Sequence, residues 1–263
     1  MRTRIAALAL AAAALAVAAP AFSDNGYPGN DGGQNAGGQS WQGKNDGGSG
    51  WLGGDTAAKP VGAIIVANPI DLDTITSISL FRSCAGHDYS GIDAQGKRET
   101  DRSMKHYVNS SIAAGDADAL HGYAPFAGTV TTQPETDPIG QQVWVTSKSG
   151  WALVFFHGDP LVKPGTKVKA GQPVVAWPAK NIFDYFKAAG RYPPTTTTVD
   201  VAFRNGATVD SFLLHMAPKV AAMWAAKGFT PTNSIVSQQA RDAAPCNGVY
   251  DWNNQSNFVS ATG

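Results

Sequence analysis

From residue 61 onward, the hydrophobic positions of this chain occur in short runs that are rich in β-branched and aromatic residues. Runs of this kind, bounded by turn-forming residues, are typical of β-strands. Glycine-containing breaks at 148–150, 163–166 and 169–172 suit the tight turns of hairpins. The pattern therefore predicts an antiparallel arrangement of short strands. The predicted strands are 62–69, 74–81, 141–148, 151–157, 172–178 and 197–203.

Helical signals are few, and most of them fall late in the chain. Each predicted helix follows a residue that can cap it or stops at a glycine. Strands and helices do not alternate as they do in βαβ units, so we predict a mainly β fold, an antiparallel sheet with a few peripheral helices. The predicted helices are 182–189, between Asn181 and Gly190; 220–227, before Gly228; and a short one from Ser234 to about residue 243.

The first residues carry the pattern of a secretory signal peptide, residues 1–21. Arg2 and Arg4 form a short basic region, an apolar run follows over 5–19, and the sequence A-P-A is a cleavage site of the A-x-A type. The apolar run is shorter than the ~20 residues of a membrane-spanning helix. We therefore predict a secreted or periplasmic protein with no stable membrane anchor.

Composition divides the remainder of the chain into two parts. Residues 22–58 are dominated by Gly, Asn, Asp, Gln and Ser, so this segment is predicted to be disordered. Residues 59–263 are predicted to form one β domain with a C-terminal helical extension. Acidic residues between the strands, Glu135 among them, are interpreted as solvated loop. Lys and Arg total 20, as do Asp and Glu, and this balance argues against a nucleic-acid partner.

The chain has two cysteines, Cys84 and Cys246. An even number of cysteines in an exported protein favours disulfide formation. Closing so long a loop contributes up to ~4–5 kcal/mol on the chain-entropy model. We therefore predict a disulfide between Cys84 and Cys246.

Two glycine-containing segments carry the most specific signal, YAPFAGTV at 123–130 and VKPGTKVKAGQPV at 162–174. They resemble a pattern shared by the lysostaphin-type zinc endopeptidases of bacterial cell walls and by biotinyl or lipoyl carrier domains. The carrier arrangement has a lysine at a hairpin tip between the two segments, and this chain lacks it. Residues 80–205 are therefore identified as similar to the peptidase domain. This resemblance implies the duplicated hybrid motif fold, with a barrel-sandwich hybrid core.

The resemblance also implies a set of site residues. The H-x-G-x-D motif of the family, whose His and Asp bind zinc, aligns with 84–88, where Cys84 replaces the His and Asp88 is retained. His157 aligns with a histidine that lies near the reacting carbonyl group. The later H-x-H motif of the family aligns with Thr198 and Asp200, so both of its histidines are replaced.

Zinc is the cofactor that the resemblance implies. The candidate ligands in this chain are Cys84, His87, Asp88 and Asp200, and His157 is the candidate catalytic residue. A catalytic zinc ion usually has three protein ligands and one open position. Because a cysteine in a disulfide cannot also bind a metal as thiolate, the predicted disulfide competes with the metal role of Cys84. The replacements predict a zinc site that is impaired or absent.

Three functions are compatible with these residues. The first is a non-catalytic module of the cell envelope, a pseudoenzyme that binds peptidoglycan or regulates a wall hydrolase. The second is an atypical zinc-dependent peptidoglycan endopeptidase that uses the same candidate residues. The third is a structural or glycan-binding surface protein that presents aromatic residues such as Trp151 and Trp177. We expect the first, because the replaced histidines remove ligands that zinc catalysis requires.

Overall fold

A computed structural model of the chain describes residues 57–59, 61–113, 119–135, 140–178, 184, 187–188 and 196–262. The predicted signal peptide and nearly all of the Gly- and Asn-rich segment lie outside these residues. The predicted helix over 182–189 also lies outside them, apart from three of its positions. No helix within the described residues is both long and apolar enough to cross a membrane.

Eleven short strands are present in the described residues, and they coincide with most of the predicted apolar runs. Five of the six predicted strands are found, each within a few residues of its predicted bounds. The strands, in chain order, are β1 Ile75–Ser79, β2 His106–Ala113, β3 Ala119–Tyr123, β4 Gly128–Pro134, β5 Gln141–Thr146, β6 Ala152–Pro160, β7 Lys167–Val168, β8 Pro173–Pro178, β9 Thr196–Asn205, β10 Thr208–Asp210 and β11 Phe258–Ser260.

These strands form a large antiparallel sheet. The order across the sheet is β11-β1-β2-β9-β6-β5-β4-β7, while β10 pairs with β9, and β8 pairs with both β6 and β3. The sheet does not close into a barrel. The predicted fold class, mainly β with an antiparallel sheet and a few peripheral helices, is confirmed.

The central strands β2, β9 and β6 separate two different environments. Successive side chains of a strand point to opposite faces of a sheet. Val108, Val199, Val201 and Phe155 share the face that packs into the hydrophobic core. Asp200 lies between two of these core residues in sequence, so it points to the other face. Packing of the first face into the core thus fixes the register of the strands, and this register sets the positions of the polar groups on the second face.

The apolar run over 62–69 does not form the predicted strand. Ile65 makes only an isolated bridge with Met216, although it is fully buried in the core. Pro69, at the end of the run, has no backbone N–H to donate to a sheet. Ile65 lies in the core and Ile64 packs against it, whereas Val66 is 54% exposed. The run therefore contributes two side chains to the core without a backbone that is paired along its length.

Strand β2 was not predicted from the sequence, because polar side chains are buried along it. The His106 Nδ1–H donates to the Ser79 carbonyl oxygen at 2.7 Å, and its Nε2 accepts from the Ser211 hydroxyl at 2.8 Å. The Ser110 hydroxyl donates to the Thr197 carbonyl oxygen at 3.0 Å. Hydrogen-bonded polar groups can be buried at low cost. A strand that buries them lacks the run of hydrophobic residues from which strands are predicted.

The helix α1 spans Pro218–Ala226 and agrees with the helix predicted before Gly228. It buries Val220 and Trp224 against the core. Gly228 has φ +91, a left-handed conformation in which glycine ends helices without steric cost. Short 3₁₀ turns lie at Leu72–Thr74, Phe212–His215 and Gln255–Asn257.

The predicted capping of a late helix by Ser234 is wrong. The helix α2 spans Pro231–Ser234, so Ser234 ends a helix instead of starting one. The next residue, Ile235, is extended and bridges to the loop after β1, which interrupts the helical path. The helix α3 spans Gln238–Ala243, and the Ser237 hydroxyl caps it by accepting a hydrogen bond from the first turn.

Candidate functional site

A buried ion pair lies on the second face of the sheet, between β2 and β9. Lys105 immediately precedes β2, and Asp200 stands opposite Tyr107 in the register of the two strands. Because Lys105 and Tyr107 are two positions apart, all three side chains share one face. The Lys105 Nζ contacts the Asp200 Oδ2, and the two side chains are only 1% and 4% exposed. Charges buried this deeply need partners, so this pair organises the site.

Three aromatic rings enclose the Lys105 ammonium group. Its Nζ lies 4.5 Å from the ring centroid of Phe156, 4.9 Å from that of Tyr107 and 5.1 Å from that of Tyr89. The faces of aromatic rings attract cations. Burial by itself lowers the pKa of Lys105, but the Asp200 carboxylate outweighs burial and raises that pKa above its ordinary value. Lys105 is thus a fixed cation of the site.

The pKa of the Asp200 carboxyl group shifts in the opposite direction. Burial by itself raises the pKa of Asp200, but the ammonium of Lys105 outweighs burial, and His157 adds to its effect, so the pKa is lowered below its ordinary value. The pair therefore holds its charges by mutual attraction in a site that water scarcely enters.

His87 faces the ammonium from the loop that precedes Tyr89. Its Nδ1 lies 2.8 Å from the backbone oxygen of Asp88, and its Nε2 lies 3.0 Å from the Lys105 Nζ. A carbonyl oxygen only accepts and an ammonium only donates, so Nδ1 carries the hydrogen and Nε2 presents its lone pair to Lys105. Desolvation of the ring and the Lys105 charge lower the pKa of His87. The neutral ring is thus the form that fits this position.

His157 reaches the same cluster from a β-bulge in β6. Gln141 pairs with Gly158 and Val143 with Phe155, so two residues of β6 stand opposite one residue of β5. Within the bulge, His157 has φ +58, which side chains other than glycine rarely adopt. Bulges of this kind re-aim a side chain, and strained backbone is often found at functional sites. Here the bulge turns the imidazole toward Asp200.

Two carboxylates flank the His157 ring. Its Nδ1 forms an ion-pair contact with the Glu135 Oε2, and its Nε2 lies 3.7 Å from the Asp200 Oδ1. The Glu135 Oε2 also accepts a hydrogen bond from the His157 backbone N–H at 3.2 Å. Burial lowers the pKa of His157, but Asp200 and Glu135 outweigh this effect and raise it. The site therefore contains a neutral histidine beside the ammonium and a readily protonated one beside the carboxylate.

The remaining predicted site residues have other partners. Cys84 forms a disulfide with Cys246, as predicted. The Asp88 Oδ1 accepts a hydrogen bond from the Ser90 hydroxyl at 2.5 Å. The Thr198 hydroxyl donates to an asparagine of β2. Of the candidates taken from the sequence, the structure thus brings together His87, His157 and Asp200 around the lysine.

Sequence reasoning missed two members of the cluster. Lys105 lies in a polar stretch before a strand that was itself missed, and a lysine there is usually at the surface. Glu135 was interpreted as solvated, which is wrong: its side chain is only 7% exposed, because it is enclosed with the His157 ring. Neither residue belongs to a sequence motif. The only sequence signal for them was their position beside strands that the hydrophobic pattern did not predict.

These residues do not fit the zinc site that the resemblance implies. Cys84 has no thiolate to offer in the oxidised chain. A divalent ion on the Asp200 carboxylate would lie beside the buried Lys105 ammonium, where repulsion between cations is poorly screened. Within the described part of the chain, no three His, Cys, Asp or Glu side chains are grouped to hold a metal ion. The cation beside Asp200 and His87 is the Lys105 ammonium group of the chain itself.

The rim of the cluster is formed by a segment near the C-terminus, residues 246–252. Trp252 is 41% exposed, and its ring packs edge-on against Tyr107 with 4.3 Å between centroids. By contrast, Trp151 and Trp177 are 1% and 0% exposed, so the hypothesis that these two present a glycan-binding surface is wrong. Both fill the hydrophobic core. Among the tryptophans that the structure describes, Trp252 is the exposed one, and it contacts Tyr107 of the aromatic cage.

Comparisons with known proteins give weak similarities only. No protein-family profile matches the sequence, and no curated protein sequence matches it. Among solved structures, the chain is similar to pseudoalterin, described as a novel M23 metalloprotease from the deep sea, with 13% identity and a TM-score of 0.38, over 79% of this chain and 91% of that one. It is also similar to Helicobacter pylori Csd3, with 12% identity and a TM-score of 0.34, over 78% of this chain and 49% of Csd3. The match spans about half the length of Csd3.

Proposed function

We propose that this chain is an exported cell-envelope protein whose metalloendopeptidase-like domain is non-catalytic and binds peptidoglycan. The observation that carries the proposal is the Lys105 ammonium on the carboxylate of Asp200. Asp200 stands where the related peptidases have a histidine of their H-x-H motif, and in this chain it is engaged by an internal cation. The domain thus keeps the outline of a peptidase site without its metal-binding chemistry.

The chemistry of an ammonium differs from that of zinc in the property that matters for hydrolysis. A catalytic zinc ion keeps an open position, where it lowers the pKa of a bound water and polarises a carbonyl group. The Lys105 Nζ is enclosed by aromatic rings and bonded to Asp200 and His87. It therefore supplies positive charge that orders the site, but it has no open position at which to activate water.

Export is supported by the oxidation state of the cysteines. The pattern of 1–21 predicts a signal peptide, and Cys84 and Cys246 are joined in a disulfide. Disulfides persist mainly in oxidising compartments such as the periplasm and the extracellular space. Peptidoglycan, the proposed ligand, is available to a protein in the cell envelope.

Binding is supported by the rim of the cluster. Trp252 offers an exposed ring, and the His87 side chain is exposed beside Tyr107. The apolar faces of sugar rings pack on aromatic side chains, and exposed polar groups nearby can hydrogen-bond the hydroxyl and amide groups of a glycan. We place peptidoglycan binding at this rim.

The experiment uses protein that has been exported, and then purified without a chelator. Sedimentation with insoluble peptidoglycan measures binding, release of soluble fragments measures cleavage, and elemental analysis measures zinc. We expect binding, no released fragments and zinc far below one ion per chain. Trp252→Ala should weaken binding about tenfold, the effect of losing one stacked aromatic contact of about 1–1.5 kcal/mol. Val249→Ala, at an exposed apolar residue of the same segment, is the matched control and should leave binding unchanged.

The runner-up is the atypical zinc endopeptidase, and one observation favours it. His157 is held in an unusual backbone conformation between two carboxylates, as catalytic residues often are. Fragment release that stops with a chelator, and that Asp88→Ala and His157→Ala abolish, would replace our proposal by this one. If the protein sediments with peptidoglycan only when a wall hydrolase is present, it regulates that enzyme instead of binding the polymer.

A further inference from the structure

The Lys105–Asp200 pair is an amine and a carboxyl group held in contact, away from water, in a protein predicted to be exported. We propose that these side chains condense to an intramolecular amide bond between the Lys105 Nζ and the Asp200 Cγ. The proposal concerns a covalent modification of the chain. It does not depend on whether the rim binds peptidoglycan, and Asp200 is engaged by Lys105 both before condensation, as an ion pair, and after it, as an amide.

Amide formation needs a neutral amine, and the structure provides a base at the amine. The His87 Nε2 lies 3.0 Å from the Lys105 Nζ with its lone pair directed at it, because its Nδ1–H is engaged by the Asp88 carbonyl oxygen. The His87 side chain is exposed, so it can pass a proton on to solvent. The ammonium therefore has a route by which to lose a proton without leaving the carboxylate.

The carbonyl carbon also needs an acid, because a carboxylate is a poor electrophile. The His157 Nε2 lies 3.7 Å from the Asp200 Oδ1, the oxygen that is not in contact with Lys105. Glu135, on the far side of the ring, stabilises the protonated imidazole. The base thus lies beside the amino group and the acid beside the carboxylate oxygen, each next to the atom on which it acts.

The surroundings favour the product. Phe156, Tyr107 and Tyr89 close around the amino group. They exclude the water that would otherwise hydrolyse the amide or solvate the ions. A buried ion pair carries a desolvation penalty that its attraction only partly offsets. Condensation replaces the two buried charges with one neutral amide.

The reaction balances with one water molecule. His157 first protonates Oδ1, which removes the carboxylate charge that holds Lys105 as an ammonium. Lys105 then loses a proton to His87, and the amine attacks the Cγ of Asp200. The Nζ–Cγ bond forms, and the Cγ–Oδ1 bond breaks. The nitrogen loses two hydrogens in total, and the departing water carries two. The histidines and solvent exchange the protons between these positions. No oxidant, reductant or other reactant is required.

The bond would join two strands that are distant in sequence. Lys105 and Asp200 are 95 positions apart. A covalent link here would fix the pairing of β2 with β9 under mechanical load, which suits a protein of the cell envelope. It would also remove the Asp200 carboxylate permanently.

The test is the intact mass of the exported full chain after complete reduction, with its N-terminus defined by sequencing. We expect the mass to be lower than that of the sequence by one water molecule. Protease digestion should then yield one branched peptide that contains both Lys105 and Asp200. Lys105→Arg, which keeps the charge but is not nucleophilic, should restore the full mass. Glu135→Gln should leave part of the protein unlinked, because the imidazolium acid is less stabilised.

The unmodified protein decides the question even if a variant fails to fold. Full sequence mass after prolonged incubation of the folded protein would overturn the proposal. A water loss that maps elsewhere, such as a cyclised aspartate, would overturn it as well, because only the branched peptide is the predicted product.

Discussion

At the scale of single residues, a glycine decides how closely the loop before Tyr89 approaches the site. Gly86 has φ +72, and a Cβ atom built on it would lie 2.0 Å from the Tyr107 Oη. Tyr107 is one wall of the cage around Lys105. The absence of a side chain at this one position therefore lets the loop that carries His87 lie directly on the aromatic wall.

Gly86→Ala should destabilise the protein by about 2–5 kcal/mol, the sum of left-handed backbone strain and overpacking. Gly165→Ala is the matched control. Gly165 also has a left-handed φ of +87, but no atom lies within 4 Å of a Cβ there. It should lose only the backbone part, about 1–2 kcal/mol. Urea unfolding of both variants measures the difference, and equal losses would show that the Tyr107 ring yields without cost.

At the scale of elements, the segment over 246–252 is fastened across the site by several bonds. The Asp101 carboxylate accepts hydrogen bonds from the backbone N–H groups of Asn247 and Gly248, at 2.6 and 2.9 Å. The Asp251 N–H donates to the Cys84 carbonyl oxygen at 2.9 Å. Together with the disulfide, these bonds hold Trp252 against Tyr107. The segment is thereby fixed against Tyr107, one wall of the cluster.

Removing the disulfide should weaken this fastening and the whole fold. The two cysteines are 162 positions apart, and closing a loop of that length contributes up to about 5 kcal/mol on the chain-entropy model. The double variant Cys84→Ser/Cys246→Ser should lose most of this stability in urea unfolding. Wild-type protein in a reducing agent should converge on the variant, while the variant itself should not respond. Equal stability of reduced and oxidised wild type would contradict the expectation.

At the scale of the whole molecule, buried histidine links stability to pH. His106 is 1% exposed between β1 and the turn after β10. Burial lowers its pKa from 6.5 to about 4. In the unfolded chain the imidazole takes up a proton below about pH 6.5, whereas the folded chain takes it up only near pH 4. The unfolded state therefore binds more protons within this window, so stability falls as the pH falls through it.

The His106 contribution is about 3 kcal/mol across that window, at 1.36 kcal/mol for each pH unit. Urea unfolding between pH 7 and pH 4 should show a steeper loss for the wild type than for His106→Gln. His87, whose pKa is lowered, and His157, whose pKa is raised, act in opposite directions but are present in both proteins. The difference between the two profiles therefore isolates His106. Parallel profiles would mean that His106 is not held neutral in the folded state.

Much of the fold follows from local pattern, and the failures have local causes. The short apolar runs around Val143, Leu153 and Val199 predicted strands that are present, because side chains of each run pack in the core. The strand that begins at His106 was hidden by buried polar groups that satisfy one another. The run over 62–69 was mistaken for a strand because core packing without pairing has the same hydrophobic signature.

The candidate site was predictable only in part. His87, His157 and Asp200 emerged from motif alignment, and the structure brings all three together. Lys105 and Glu135 belong to no motif, and their roles depend on which groups they meet in space. Motif alignment assigned Cys84 a metal-binding role, whereas the even number of cysteines predicted a disulfide, and its pairing with Cys246 in the structure leaves only the second role.

The sequence by itself determined the β class and the antiparallel pairing, because these depend on apolar runs and turn residues along neighbouring positions. It also determined the cysteine pair, because the chain has two cysteines. Only the tertiary structure decided that a lysine occupies the site. Lys105 and Asp200 are 95 positions apart, and they meet because the register of β2 and β9 turns both to the same face. A contact of that kind depends on strand register, because a shift of one residue would turn the side chains of one strand to the opposite face.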